Sequence, residues 1–141
     1  MENPCEIQRK YYLTALKRIF ERTLITGREY AYFVCENPLI GRYRGIITSG
    51  TVSRVRPKPC WGRSRPVAAV HTHPTVELWI EDVELDEDDI EFILQNNLEY
   101  GCVLAPTKEG YPGLYCWGPK VGECRMPLKE LEEIQKRYLK E

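Results

Sequence analysis

The chain is poor in histidine. Its 141 residues hold two, His71 and His73, and both fall in one tetrapeptide. It has no long apolar run: no stretch approaches the 18 residues a membrane-spanning helix needs. It has almost no net charge, with 20 Lys plus Arg against 21 Asp plus Glu. That balance excludes a bulk nucleic-acid coat or a membrane-surface peptide. No glycine-rich nucleotide-binding loop occurs and no CxxC pair. What is present is ordinary for a single folded domain, 43% apolar and 29% charged, which excludes disordered and coiled-coil classes. Met1 to Glu6 lacks the basic start and apolar run of a secretory leader, so a cytoplasmic location is expected. The six cysteines, Cys5, Cys35, Cys60, Cys102, Cys116 and Cys124, then read as reduced core residues, disulfide-bonded intracellular proteins of hyperthermophiles being the exception.

Periodicity predicts an α/β (α+β) protein with one mixed sheet flanked by helices, in the order α-β-β-β-α-β-β-α. Asn3-Pro4 opens a helix, and Ile7, Leu13, Leu16, Ile19, Phe20 and Leu24 line it up to Gly27. Tyr30 to Cys35 reads as a strand and Tyr43 to Val55 as a second β region. The proline-rich stretch 56–66 is a loop. Val67 to His71 is a buried strand ending at His73-Pro74. Asp86 caps a helix whose stripe is Ile90, Ile93, Leu94 and Leu98, with Gly101 as its end. Strands follow at Cys102–Ala105 and Leu114–Trp117, and a final helix spans Leu128 to Leu139.

Charge is segregated. Arg42, Arg44, Arg54, Arg56, Lys58, Arg63 and Arg65 lie in a segment, 37–76, that has no acid, and nine acids without a base follow from Glu77 to Glu91. Two solvated faces that offset each other are one reading. The other is a basic rim that steers an acidic partner toward a neighbouring site.

The chemistry lies in His71-Thr72-His73-Pro74. Residues two apart on a strand point the same way, so the imidazoles converge, and neutral imidazole is a common zinc ligand. Surface or hydrogen-bonded histidines are the plainer alternative. Asp89, in the first turn of the acidic helix, offers a third, oxygen ligand; the alternative is that Asp86, Glu87, Asp88 and Asp89 only cap and charge that helix. Glu29, just before the first strand, offers the proton acceptor that a metal-bound water needs. Val76, Leu78, Trp79 and Ile80 form either a flap over substrate or part of the core.

This combination resembles the JAB/MPN (JAMM) metalloprotease family, whose pattern is a glutamate opening an early strand, then HxHP at a strand end, then SxxD at a helix start. Glu29 takes the first place, His71 to Pro74 match the second, and Asp86 to Asp89 take the third. The resemblance spans about Ile7 to Trp117. It implies the JAB/MPN, cytidine-deaminase-like architecture over the single domain 1–141. It also implies a zinc ion on His71, His73 and Asp89, water activated by Glu29, and Asp86 at the oxyanion-assisting position. The implied reaction is hydrolysis of a peptide or isopeptide bond in a protein or peptide substrate, with the tail of a ubiquitin-like protein as a candidate.

Two departures are plain. Asp86 replaces the serine, and the His73–Asp89 segment is a few residues longer than is common, which leaves Asp82 and Asp88 as alternative ligands. A catalytically inactive scaffold or binding module on the same fold is the other reading. A zinc deaminase would need HxE with PCxxC, an amidohydrolase site would need further histidines, and no signature supports a cysteine hydrolase built on Cys35 or Cys60.

Overall fold

A computed structural model describes residues 2–52 and 54–139. Helices α1 (Pro4–Tyr11) and α2 (Leu13–Thr26) come first, then β1 (Tyr30–Asn37), β2 (Gly41–Arg44) and β3 (Thr48–Ser49). β4 (Arg65–Thr72), α3 (Glu87–Gln95), β5 (Tyr100–Ala105), β6 (Gly113–Gly118), β7 (Gly122–Pro127) and α4 (Glu132–Tyr138) complete the chain. The strands form one open mixed sheet in the order β2-β1-β4-β5-β6-β7, with β3 also on β1. The β4–β5 pair is parallel and the crossover between them carries α3; all other pairs are antiparallel.

Helices cover both faces. On one, Leu16, Ile19 and Phe20 of α2 pack with Tyr32, Val70, Leu104 and Leu114 from alternate strand positions. On the other, Ile93 of α3 packs on Phe33, Cys35 and Ala69. The β1 run is buried on both sides, so its residues divide strictly by parity between two cores. A buried polar chain ties the first face together: Tyr32 Oη donates to Gln8 Oε1 (2.7 Å), and Gln8 Nε2 donates to Tyr100 Oη (3.0 Å).

Several expectations needed correction. The first helix is two, with the backbone leaving helical geometry at Tyr12 (φ −126°, ψ 21°), where adjacent tyrosines, poor helix formers, supply little local stability. The β region predicted over 43–55 shrinks to β2 and β3. The chain crosses close over β1 there, and a Cβ on Gly45 would meet Cys35 Sγ and the Phe33 carbonyl at 3.1 Å. Gly101 does not end α3. The helix stops at Asn96–Asn97, Asn97 adopting φ 56°, and Gly101 lies inside β5, where Ile93 occupies the space a Cβ would need. β7 escaped prediction because Gly122 to Pro127 is a mostly exposed edge strand with little apolar alternation.

The cysteines are not free thiols. All six pair, as Cys5–Cys124, Cys35–Cys60 and Cys102–Cys116. The absence of CxxC concealed this, because two of the three pairs are set by sheet register and by α1 packing rather than by local spacing. No described helix is long and apolar enough to cross a membrane.

Removing the Gln8 amide leaves two buried phenols short of a partner. Gln8→Ala should therefore cost about 2–4 kcal/mol, read as a lower urea midpoint at unchanged m-value. A loss under about 0.5 kcal/mol would contradict the role given to this network.

Candidate metal centre

β4 ends beside the open edge of the second face, and its parity decides which side chains go there. Thr72 points to the α2 side, where its hydroxyl pairs with that of Thr23 and accepts the Tyr30 N–H (2.9 Å). His71 and His73 therefore point to the α3 side. His73 lies past the strand proper but is held by its N–H to the Leu104 carbonyl (3.0 Å). Their Nε2 atoms lie 3.1 Å apart with ring centroids at 4.9 Å.

Register brings Glu29 to them. β1 runs antiparallel to β4 with Ala31 opposite His71, so stepping back two residues sets Glu29 opposite His73 on the same face. Glu29 is 6% exposed, and its Oε2 is 3.9 Å from His73 Nε2. The Glu29 backbone is fastened on the outer side, its N–H to the Thr51 carbonyl (2.7 Å) and its carbonyl to the Gly50 N–H (2.8 Å).

α3 delivers the second carboxylate through a reciprocal cap. Asp86 Oδ1 accepts the Asp89 N–H (2.9 Å), and Asp89 Oδ2 accepts the Asp86 N–H (3.1 Å). The same Oδ2 is 3.5 Å from His71 Nε2. The cap that starts the helix thus also fixes the aim of Asp89 at the histidines. Of the alternative ligands, Asp82 turns away to accept the Trp79 N–H (3.1 Å), while Asp88 lines the cleft without a contact to either imidazole.

Glu29, His71 and His73 offer ligand atoms within 4.8 Å of one another, and so do His73, Asp86 and Asp89. Two nitrogens on a tetrahedral zinc at 2.0–2.1 Å stand about 3.4 Å apart. The imidazole nitrogens are near that separation already, and the donor set of two imidazoles with carboxylate oxygen suits zinc.

The electrostatics fit a cation. Burial pushes the Glu29 carboxyl up to about 7; the charges of Asp89 and Asp86 add to the rise and that of His71 opposes it. Burial and the neighbouring His71 push His73 down to about 4, leaving it neutral at pH 7. For His71 burial acts downward, but its hydrogen bond and attraction to Asp89 prevail and raise it. Asp89 is the complement: burial acts upward, yet the bond to His71 and its charge hold the carboxyl at about 2. Asp86 is raised, chiefly by burial.

The cleft over this cluster measures about 280 Å³. Its opposite wall is the loop Arg54-Val55-Arg56-Pro57, with the Arg56 guanidinium 5.8 Å from the Phe92 ring centroid. Two of the seven basic residues are thus at the cleft. Others serve β-sheet ion pairs, Arg42 with Glu36 and Glu99, and Arg65 with Glu36. Sequence reasoning found these charges but not Phe92 and Leu85 as cleft walls, although their place on or beside the acidic helix was a signal. Of the flap-or-core alternatives, core holds for Ile80; Val76 is half-buried, Leu78 and Trp79 are exposed, and none of the four lines the cleft. Glu77 instead continues the sheet beside Thr107, which draws the segment away.

No protein-family model matches the chain, and no curated protein resembles it closely enough to count as a relative.

Glu29 gives a pH test on metal-free protein. A carboxyl near 4.5 when unfolded and about 7 when folded destabilises the fold fully above pH 7 and not at all below pH 4.5. Glu29→Gln should therefore stabilise metal-free protein at pH 8 by on the order of 1–3 kcal/mol, with the gain fading as pH falls from 7 to 4.5. Chemical denaturation at the two pH extremes checks it; a gain independent of pH would contradict the burial of this charge.

Proposed function

We propose that the chain is a zinc-dependent hydrolase of peptide or isopeptide bonds with the JAB/MPN architecture. The observation that carries the reading is the convergence of Glu29, His71, His73 and Asp89 from three separate elements on one cleft. His71, His73 and Asp89 are the ligands in this reading, with a vacant position left for solvent. Zinc, when bound, supplies Lewis acidity toward a carbonyl and acidifies a coordinated water to a pKa of about 7.

Glu29 is the proton carrier. Its Oε2 faces the histidines without a hydrogen-bond partner of its own among the described residues, and an acid with a pKa of about 7 both accepts and returns a proton at neutral pH. It takes the proton of the attacking water and passes it to the departing amine. Asp86 commits Oδ1 to the helix cap, and its carboxylate lies within 4.8 Å of the ligand atoms of His73 and Asp89. A carboxylate there opposes negative charge developing on the substrate oxygen, where a hydroxyl would donate to it. Arg54 and Arg56 offer the cleft's far wall to the carboxylate of an acidic chain end. The substrate is an extended peptide, with a ubiquitin-like tail as the candidate form, and the proposed location is cytoplasmic. Three disulfides are the usual mark of an oxidising compartment, intracellular proteins of hyperthermophiles being the exception under which the cytoplasmic reading holds.

His73→Ala should reduce tightly bound zinc by one equivalent per chain, whereas Glu29→Ala should keep it and lose hydrolysis of an α- or ε-linked peptide fusion by at least about 10³-fold. A zinc content in the histidine variant equal to that of the wild type, or full activity in the glutamate variant, would refute the assigned roles. Asp86→Ser keeps a capping oxygen and removes the charge. It should raise kcat by about tenfold with little change in stability, as measured by steady-state kinetics and thermal melts. A fall in kcat would instead make Asp86 a participant in its own right.

A further inference from the structure

We propose that Cys5, Cys102, Cys116 and Cys124 form a second, structural metal site in the reduced protein, a four-thiolate zinc centre that oxidation converts into the two disulfides seen here. The four residues come from four elements. Cys102, Cys116 and Cys124 stand directly opposite one another across β5, β6 and β7, and Cys5 on α1 lies against them. The Cys5, Cys116 and Cys124 sulfurs lie within 4.8 Å of one another, and Cys102 is bonded to Cys116. Two disulfides that served only as cross-links would have no need to share one locus. Cys35–Cys60 shows the isolated kind, joining β1 to the loop beside the cleft on the other face.

The geometry suits a tetrahedral ion. Sulfurs at 2.3 Å from zinc are about 3.8 Å apart; the Cys5, Cys116 and Cys124 sulfurs already lie within 4.8 Å of one another, and Cys102 joins them through its bond to Cys116. Thiolates are soft ligands that favour zinc. Charge is met from α1: Cys5 is its second residue, and the Cys5 N–H donates to Cys124 Sγ at 3.1 Å, so the positive end of the helix faces the sulfur cluster.

Loading requires reduction. Two S–S bonds accept four electrons and four protons from two equivalents of a dithiol, each of which closes to its own disulfide. Zinc binding then releases the four thiol protons to solvent. Oxidation by a two-electron oxidant, two equivalents per chain, reverses this and expels the ion.

The test uses full-length protein reduced with dithiothreitol under anaerobic conditions and loaded with zinc or cobalt, in wild type and in His73→Ala. We expect one zinc per chain to survive His73→Ala. The cobalt form of that variant should show thiolate-to-cobalt charge-transfer absorption, unchanged by adding Cys35→Ser and abolished by adding Cys116→Ser. Diamide should release that zinc and restore Cys5–Cys124 and Cys102–Cys116, mapped by alkylation and mass spectrometry. A wild type with a single zinc that persists in His73→Ala would support this site and refute the cleft as a zinc site. Loss of all zinc in His73→Ala, or cobalt spectra without the sulfur band in reduced wild type, would overturn the proposal. If Cys116→Ser fails to fold, the wild-type cobalt spectrum and the diamide release decide.

Discussion

The pairing of β1 with β4 is the constraint on which the candidate centre depends. With Ala31 opposite His71, Glu29 faces His73 and all three chemically loaded side chains share one face. A slip of one residue would send them to the α2 side, among Leu16, Ile19 and Phe20, where neither ion nor water has access. Burial on both faces makes such a slip costly, since it would exchange Phe33 and Cys35 for Tyr32 and Val34 in two differently shaped cores. Thr72 adds a polar check on the same register, because only the native pairing lets its hydroxyl meet both Thr23 and the Tyr30 N–H.

Local capping chemistry does a second task at α3. Asp86 and Asp89 satisfy each other's backbone donors, which stabilises the helix start and confines Asp89 to one rotamer. That rotamer directs Oδ2 at His71. An acidic side chain aimed by its own helix cap loses little entropy when it engages an ion, which is how a rigid element improves a site over a loop. The capping and ligand readings of Asp89, alternatives on the sequence, are therefore compatible in the structure.

How much was legible follows from the range of each interaction. The His71–Thr72–His73 spacing and the Asp86 cap are local, and both geometries follow from period and propensity alone. The candidacy of Glu29 followed from its place at the start of a strand and from the resemblance, but its position opposite His73 was not legible, because strand register is set by turns and packing some forty residues apart in sequence. The break at Tyr12, the end of α3 at Asn97 and the edge strand β7 were missed for a common reason. Each is decided by tertiary packing over weak local preference, as when Ile93 claims the space above Gly101. The cysteine pairing was hidden in the same way: Cys102, Cys116 and Cys124 align only once three strands are in register.

In the proposed centre one divalent ion joins His71, His73 and Asp89 beside Glu29. Crystals of zinc-loaded protein, with diffraction recorded on either side of the zinc absorption edge, test it most directly. An anomalous peak is expected at about 2.0–2.2 Å from both imidazole Nε2 atoms and from Asp89 Oδ2, with Glu29 Oε2 outside bonding range. A peak bound instead by Asp82 or Asp88, or no peak between the histidines at full zinc loading, would contradict it.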